Sequence, residues 1–197
     1  EELTIAAAEM DRRPVFHQVS LDWIPVLHDR GYHFFKLGEE AHVDLDGISL
    51  DGHAGKMYRQ VLRRAERDDA TFRILEPDEL APRPAAMADV SSLWLREKHL
   101  AERQFSMGFF DPVYLCRFPC AVVETGGPGG RIMAFANLLE GPRREELSVD
   151  LMRQRSDGPQ VMDFVSVSLL LEGKRRGFRT FNLGMAPLSG LEARSIG

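Results

Sequence analysis

The feature that most narrows the fold is the run Gly126-Gly127-Pro128-Gly129-Gly130, set between two apolar stretches at 120–124 and 132–139. Glycines adopt the positive φ that tight reversals need and proline presets its own φ, so the run has little choice but to turn. The flanking stretches then read as two antiparallel strands of one hairpin, and 146–152 supplies a third strand. Behind them, 161–174 carries Val161, Met162, Phe164, Val165, Val167, Leu169, Leu170 and Leu171, too many apolar residues for a one-sided surface helix. It reads as a helix buried on most sides, stopped by Gly177, after which 178–183 returns as a strand. In front, 87–102 places Met87, Val90, Leu93, Trp94 and Leu100 on one helical face. Helix, three antiparallel strands, helix and strand predict a mixed α+β sheet.

Upstream the signals are weaker. Residues 16–20 alternate like a short strand, 21–30 have near-helical spacing with Gly31 as the stop, and 32–37 read as an aromatic strand. Gly38-Glu39-Glu40 reads as a turn and 41–45 as a further strand. Ser49 or Asp51 can cap a helix running to about 68, followed by a strand at 71–75. Pro77, Pro82 and Pro84 form the proline-rich joint of the chain, and a domain boundary is expected there.

With 44% apolar and 28% charged residues in 197, the composition is that of a globular chain and excludes a disordered or fibrous one. No apolar run approaches the roughly 20 residues that span a bilayer. Cys116 and Cys120 stand in C-x3-C with no second pair and no nearby histidine, so they read as reduced core thiols; no metal site is expected. The opening residues lack the pattern of a signal peptide, and the chain starts on Glu1 rather than Met, as a piece of a longer protein would.

A net charge of −5 excludes a generally basic nucleic-acid binder, yet it conceals a basic segment. Lys56, Arg59, Arg63, Arg64 and Arg67 are offset only by Glu66, a local balance of +4 against −9 for the rest of the chain. Arg59, Arg63 and Arg67 fall at i, i+4 and i+8, a stripe about 12 Å long on a helix. Such a stripe suits a phosphate backbone or an anionic membrane surface, and equally an ordinary solvated face.

Two further segments carry candidate chemistry. In Glu146-Leu147-Ser148-Val149-Asp150-Leu151-Met152-Arg153, strand alternation puts Ser148 and Asp150 on one face and Leu147, Val149 and Leu151 on the other. Arg153 follows at the strand end, where a carboxylate and a guanidinium can orient an amine and a carbonyl or phosphate; a surface ion pair fits the same spacing. Asn182-Leu183-Gly184-Met185-Ala186-Pro187, with Ser189-Gly190 beyond, reads as a small-residue loop that lets backbone approach a ligand, or as a plain turn. Residues 155–160 match the first half of the R/Q-x-x-G-x-G/A loop by which acetyltransferases hold coenzyme A. Gln160 replaces its final small residue and Pro159 removes an N–H donor, so coenzyme A is not expected.

Taken together, the stretches at 32–41, 49–52, 135–138, 146–153, 162–164 and 181–192 resemble the C-terminal soluble domain of the aminoacyl-phosphatidylglycerol synthases, the phosphatidylglycerol lysyltransferase or multiple peptide resistance family. The resemblance runs from about residue 14 to the end. It implies a GNAT-like, acetyltransferase-type α+β fold in tandem lobes joined by a basic helix. Residues 1–47 would then be the last part of a first lobe, 48–75 the connecting helix and strand, and 76–197 a second lobe cut short at its C-terminus. It further implies transfer of an aminoacyl group, lysyl or alanyl, from aminoacyl-tRNA to phosphatidylglycerol, which weakens binding of cationic antimicrobial peptides. The implied setting is the cytoplasmic face of the bacterial inner membrane, with an integral membrane domain preceding this segment in the parent protein.

Asp150 and Arg153 match the motif lining the family's active site. Asp150 is expected to hold the substrate ammonium and Arg153 a phosphate or the reacting ester. Ser148, Asn137, Asp163, Asn182, Met185 and Ser189 are expected to bind substrate, and Lys56, Arg59, Arg63, Arg64 and Arg67 phosphates of tRNA or lipid. Family members continue past this chain's end with further helices, so part of the site is expected beyond it. The readings that compete are a coenzyme A-dependent N-acyltransferase and a non-catalytic module for anionic lipid or RNA.

Overall fold

The structure, a computed structural model, describes residues 2–99 and 109–190. The end of the expected helix at 100–102 lies outside them. The chain divides into two compact units, the first holding residues up to Leu37 and the second running from Gly38 to Gly190.

In the first unit, α1 spans Glu2–Glu9, a 3-10 turn spans Leu21–Trp23 and α2 spans Ile24–His28. Gly31, at φ 78°, follows α2 as expected. Neither 16–20 nor 32–37 is a strand. Their aromatic residues meet instead as a pair, Phe16 and Tyr32, edge to face at 5.3 Å.

In the second unit the elements are β1 (Gly38–Asp44), α3 (Lys56–Arg67), β2 (Ala70–Leu75), α4 (Pro77–Leu80), α5 (Pro84–Glu97), α6 (Pro112–Leu115), β3 (Cys120–Thr125), β4 (Arg131–Glu140), β5 (Glu146–Gln154), α7 (Met162–Arg175) and β6 (Thr180–Pro187). Among the described residues the strands form one sheet in the order β1-β6-β5-β4-β3-β2. Every neighbouring pair is antiparallel except β5 and β6, which run parallel across the α7 crossover. This is the expected mixed α+β sheet.

The sheet crosses both boundaries read from the sequence. Residues 38–44 and 70–75 are strands of the same sheet as 120–187, so the division falls at 37/38 and not at 47/48 or at the prolines. Pro77 and Pro84 instead occupy the first turns of α4 and α5, where a missing N–H costs nothing. Gly38-Glu39-Glu40 is the start of β1 rather than a turn, because pairing with β6 outweighs the weak strand preference of Gly and Glu. The segment expected as a loop after Asn182 is likewise the second half of β6.

Helices cover both faces. On one, Val165 and Leu169 of α7 and Tyr58 of α3 pack on Ala121, Val123, Ala134, Ala136, Leu138, Leu147 and Phe181. On the other, Leu80, Met87, Val90 and Leu115 of α4, α5 and α6 pack on Leu75, Val122, Ile132, Phe135 and Leu151. Central strands β3 and β4 are therefore buried on both sides, which accounts for their near-continuous apolar runs. Within β3, Glu124 is fully buried. It is ion-paired to Arg83 and, at 3.5 Å, to Arg73, and it accepts the Gly129 N–H at 3.2 Å. Burial works to raise its pKa, but the Arg83 bond, the Gly129 N–H and the two cationic charges outweigh it and hold the carboxyl below its usual range.

Candidate functional site

Strand β5 carries a β-bulge. Val149 pairs with Leu138 and Met152 with Ala136, so Asp150 and Leu151 together face Asn137 alone. The amide left over by the irregularity is satisfied from the side chain opposite: Leu151 N–H donates to Asn137 Oδ1 at 2.7 Å. Simple alternation put Leu147, Val149 and Leu151 on one face. The bulge corrects this, leaving Leu147 and Val149 in the α7 core and moving Leu151 into the core under α5. Asp150 is exposed on the bulge and accepts a hydrogen bond at Oδ2 from the Tyr114 hydroxyl, 3.1 Å away.

Tyr114 belongs to α6, a single turn with Asp111 as its N-cap. Asp111 Oδ1 accepts from Val113 N at 2.8 Å and Tyr114 N at 3.3 Å, and Pro112 opens the turn. The Tyr114 ring lies edge-on to Phe118 at 5.0 Å. Burial first, then the Asp150 charge and hydrogen bond, raises the phenol's pKa, so Tyr114 is a neutral donor at physiological pH.

Strands β5 and β6 pair over only three positions, Glu146–Thr180, Leu147–Phe181 and Ser148–Asn182. Beyond these β5 continues with β4 while β6 continues with β1. The parallel pair thus ends in mid-sheet, and Asp150 stands two residues past the parting. On the facing strand Gly184 takes φ 87°, and its N–H is held by Asn182 Oδ1 at 2.8 Å. Asn182 Nδ2 also reaches Glu40 Oε2 (3.4 Å) and Glu146 Oε1 (3.3 Å), and His42 lies 3.4 and 3.2 Å from the same two carboxylates. Ser189 Oγ contacts Glu39 Oε2 at 3.4 Å.

The expected site residues are therefore brought together only in part. Asp150, Ser148, Asn182 and Met185 lie on the two strands that separate, and Ser189 follows just after β6. Arg153, expected at an open strand end, is 3% exposed because β5 runs on to Gln154 and α5 lies over it. Its Nη1 donates to Ser91 Oγ and its guanidinium stacks 5.0 Å from the Trp94 ring, a buried position rather than an open strand end. Asn137, expected to touch substrate, is fully buried and supports the bulge. Asp163 stands in the first turn of α7, lining a groove of about 200 Å³ with Gln60, Arg64 and Phe164 against α3, on the far face from Tyr114.

The basic helix is shorter than expected: Ser49 and Asp51 bond to each other in the preceding turn and α3 begins at Lys56. Arg59 folds back to donate to the carbonyls of Leu50 and, at 3.0 Å, Gly52, which removes it from the outward stripe. Arg64 pairs with Asp68 at 3.7 Å, while Lys56, Arg63 and Arg67 are exposed.

The loop at 155–160 is held by side-chain contacts of its own. Arg155 is bound to Asp89 of α5 and clasps both oxygens of Asp157 at 2.8 and 2.9 Å. Gly158 lies so close to Met133 that a Cβ would meet its Cε at 2.3 Å, and Gln160 is tied to Gln154 at 2.6 Å. Sequence reasoning missed Tyr114 and Ser91, and read Trp94 only as part of a helical face. The pair Asp111-Pro112, a helix-start signal, was the one readable pointer to α6.

The family pattern described as phosphatidylglycerol lysyltransferase, C-terminal, matches residues 1–196. A phosphatidylglycerol lysyltransferase of Bacillus subtilis is 40% identical over 176 residues, covering 89% of this chain and 20% of the relative. Its counterpart in Staphylococcus haemolyticus is 35% identical over the same share. This chain thus spans about a fifth of the length of those relatives. Among solved structures, the C-terminal domain of a protein described as a lysylphosphatidylglycerol synthetase from Agrobacterium fabrum superposes with a TM-score of 0.83 at 37% identity, over 95% of this chain and 59% of that one. L-PGS from Bacillus licheniformis gives 0.82 at 36%, over 99% and 62%. A GCN5-related glucosamine N-acetyltransferase region from a fungal enzyme shares the fold alone, at 12% identity and a TM-score of 0.53.

Proposed function

The chain belongs to the family of phosphatidylglycerol lysyltransferase C-terminal domains, and on that premise we propose that it forms part of an enzyme moving a lysyl group from lysyl-tRNA to a hydroxyl of phosphatidylglycerol. The observation that carries the site reading is Asp150: an exposed carboxylate, seated on a bulge beside the parting of β5 and β6, with one oxygen held by Tyr114. In this reading the aminoacyl ammonium binds Asp150, and the ester carbon lies between the separating strands.

The reaction needs no covalent intermediate. The lipid hydroxyl attacks the ester carbonyl, the tetrahedral intermediate collapses, and the 3′-terminal ribose oxygen of the tRNA leaves, gaining the proton that the lipid hydroxyl loses. The donor ester is already activated, so positioning and stabilisation of the oxyanion account for most of the catalysis. Strand edges that have lost their partners supply backbone N–H donors for that purpose. Lys56, Arg63 and Arg67 of α3 meet phosphates of the tRNA or of the lipid surface.

Among the described residues no helix is long and apolar enough to cross a membrane. In this reading the lipid substrate is met at a membrane surface. The reading places this segment at the cytoplasmic face of the inner membrane, where charged tRNA is found, with a membrane domain elsewhere in the parent protein. The test gives phosphatidylglycerol vesicles and lysyl-, alanyl- or arginyl-tRNA, labelled in the amino acid, to the full-length protein. Label entering the lipid fraction from lysyl-tRNA is the expected result. Label from alanyl-tRNA alone would overturn the donor assignment, and no transfer from any donor would overturn the transferase reading.

A further inference from the structure

We propose that Tyr114 is a positioning residue for Asp150: its hydroxyl takes up Oδ2 of the carboxylate and leaves Oδ1 to receive the substrate ammonium. This rests on the transferase reading above and adds to it a residue from a separate element.

Both partners are fixed before they meet. The Tyr114 backbone is set by the Asp111 cap, the neighbouring Leu115 is anchored in the core at 1% exposure, and the ring is braced by Phe118. The Asp150 backbone is set by the bulge, which Asn137 pins through the Leu151 amide. An exposed aspartate without such a contact would rotate about both side-chain torsions and present its charge in many directions. One hydrogen bond from a rigid donor removes most of that freedom.

The chemistry of the donor matters as much as its placement. An arginine or lysine in the position of Tyr114 would orient the carboxylate but cancel its charge. A phenol donates a hydrogen bond while carrying no charge, so Asp150 keeps its full negative charge for a cation. The pairing therefore suits recognition of an ammonium group and does not suit a general base, whose proton acceptor would be blunted by a competing donor on the same carboxylate. Tyr114 itself touches no reacting atom and acts through Asp150.

The test is a double-mutant cycle in the full-length protein, with lysyl transfer to phosphatidylglycerol vesicles as the readout. Tyr114→Phe keeps the ring against Phe118 and removes only the hydroxyl. It should lower kcat/KM roughly tenfold, the worth of one partly solvated hydrogen bond to a charged group. Because an ammonium is held alike before and during reaction, the loss should appear chiefly in KM for lysyl-tRNA. Asp150→Ala should cost more, and on that background Tyr114→Phe should add nothing. A Tyr114→Phe enzyme with unchanged kcat/KM, or one with the same loss on both backgrounds, overturns the positioning role while a damaged Asp150→Ala enzyme leaves the transferase reading standing. A fully active Asp150→Ala enzyme overturns the site reading and the positioning role together.

Discussion

Replacing Asn137 by alanine tests whether the bulge that presents Asp150 is held by a side chain or by the sheet alone. Asn137 is fully buried and its Oδ1 receives the Leu151 amide at 2.7 Å. Without it a backbone N–H is stranded in the interior, at a cost of about 1–3 kcal/mol. Part of this is returned, because Asn137 Nδ2 is itself buried with no hydrogen-bond partner among the described residues and disappears with the substitution. The net loss should be about 1–2 kcal/mol, measured by urea unfolding, with the slope m unchanged because the same surface is exposed. The amide of Leu151 should lose its protection from hydrogen exchange, since its acceptor is gone. Transfer activity should fall by more than stability explains, because the residue adjoining the freed amide is Asp150. An Asn137→Ala protein with wild-type stability and a still-protected Leu151 amide would show that the ladder supports the bulge unaided, and would refute this reasoning.

Further outcomes follow from the charges. Glu124→Gln leaves Arg83 and Arg73 facing a neutral, buried partner and should cost about 2–3 kcal/mol, at the low end for a broken buried pair because both arginines keep some solvent contact. The native carboxyl of Glu124 titrates below its usual range and that of Asp157, bonded to Arg155, at about 2. Both contributions are therefore complete above the unfolded carboxylate range near pH 4 and fade as pH falls through the native values, so urea midpoints of wild type and Glu124→Gln should converge in acid. On α3, Arg63→Glu with Arg67→Glu should flatten the dependence of log K for tRNA on log salt by at least about 1.5, whereas Arg59→Ala should leave that slope alone and lower stability. An Arg59→Ala protein that loses salt dependence would return that residue to the interface.

What the sequence disclosed and what it hid divide along a physical line. Strands β2 to β5 and helices α5 and α7 were readable because each satisfies its pattern within a few neighbours: a glycine-rich reversal, alternation, a buried apolar run, a glycine stop. Strand β1 was readable only from residue 41, since Gly38, Glu39 and Glu40 become a strand only through partners about 140 residues away. At the site, Asp150 was legible from its place in the motif, but the bulge beneath it was not, because one inserted residue is invisible until the opposite strand is known. Arg153 looked like a free cation because the covering residues, Ser91 and Trp94, come from α5 more than fifty positions earlier. Arg59 was lost from the stripe to two carbonyls of the preceding turn, a contact that helical periodicity does not report.

The distant partnership of β1 has a consequence for the chain while it is being made. Strands β2 to β5 form a meander whose members meet soon after they leave the ribosome, but among the strands of the described residues β1 emerges first and its partner β6 last. At about 5–20 residues per second, some 140 residues of delay leave β1 waiting roughly 7–30 s for a neighbour. An unpaired strand invites association with other chains, and the sequence of β1, Gly38-Glu39-Glu40-Ala41-His42-Val43-Asp44, is poor in apolar residues and rich in negative charge. Glu39 and Glu40, which hid the first half of the strand, also set like charges against such association until β6 arrives.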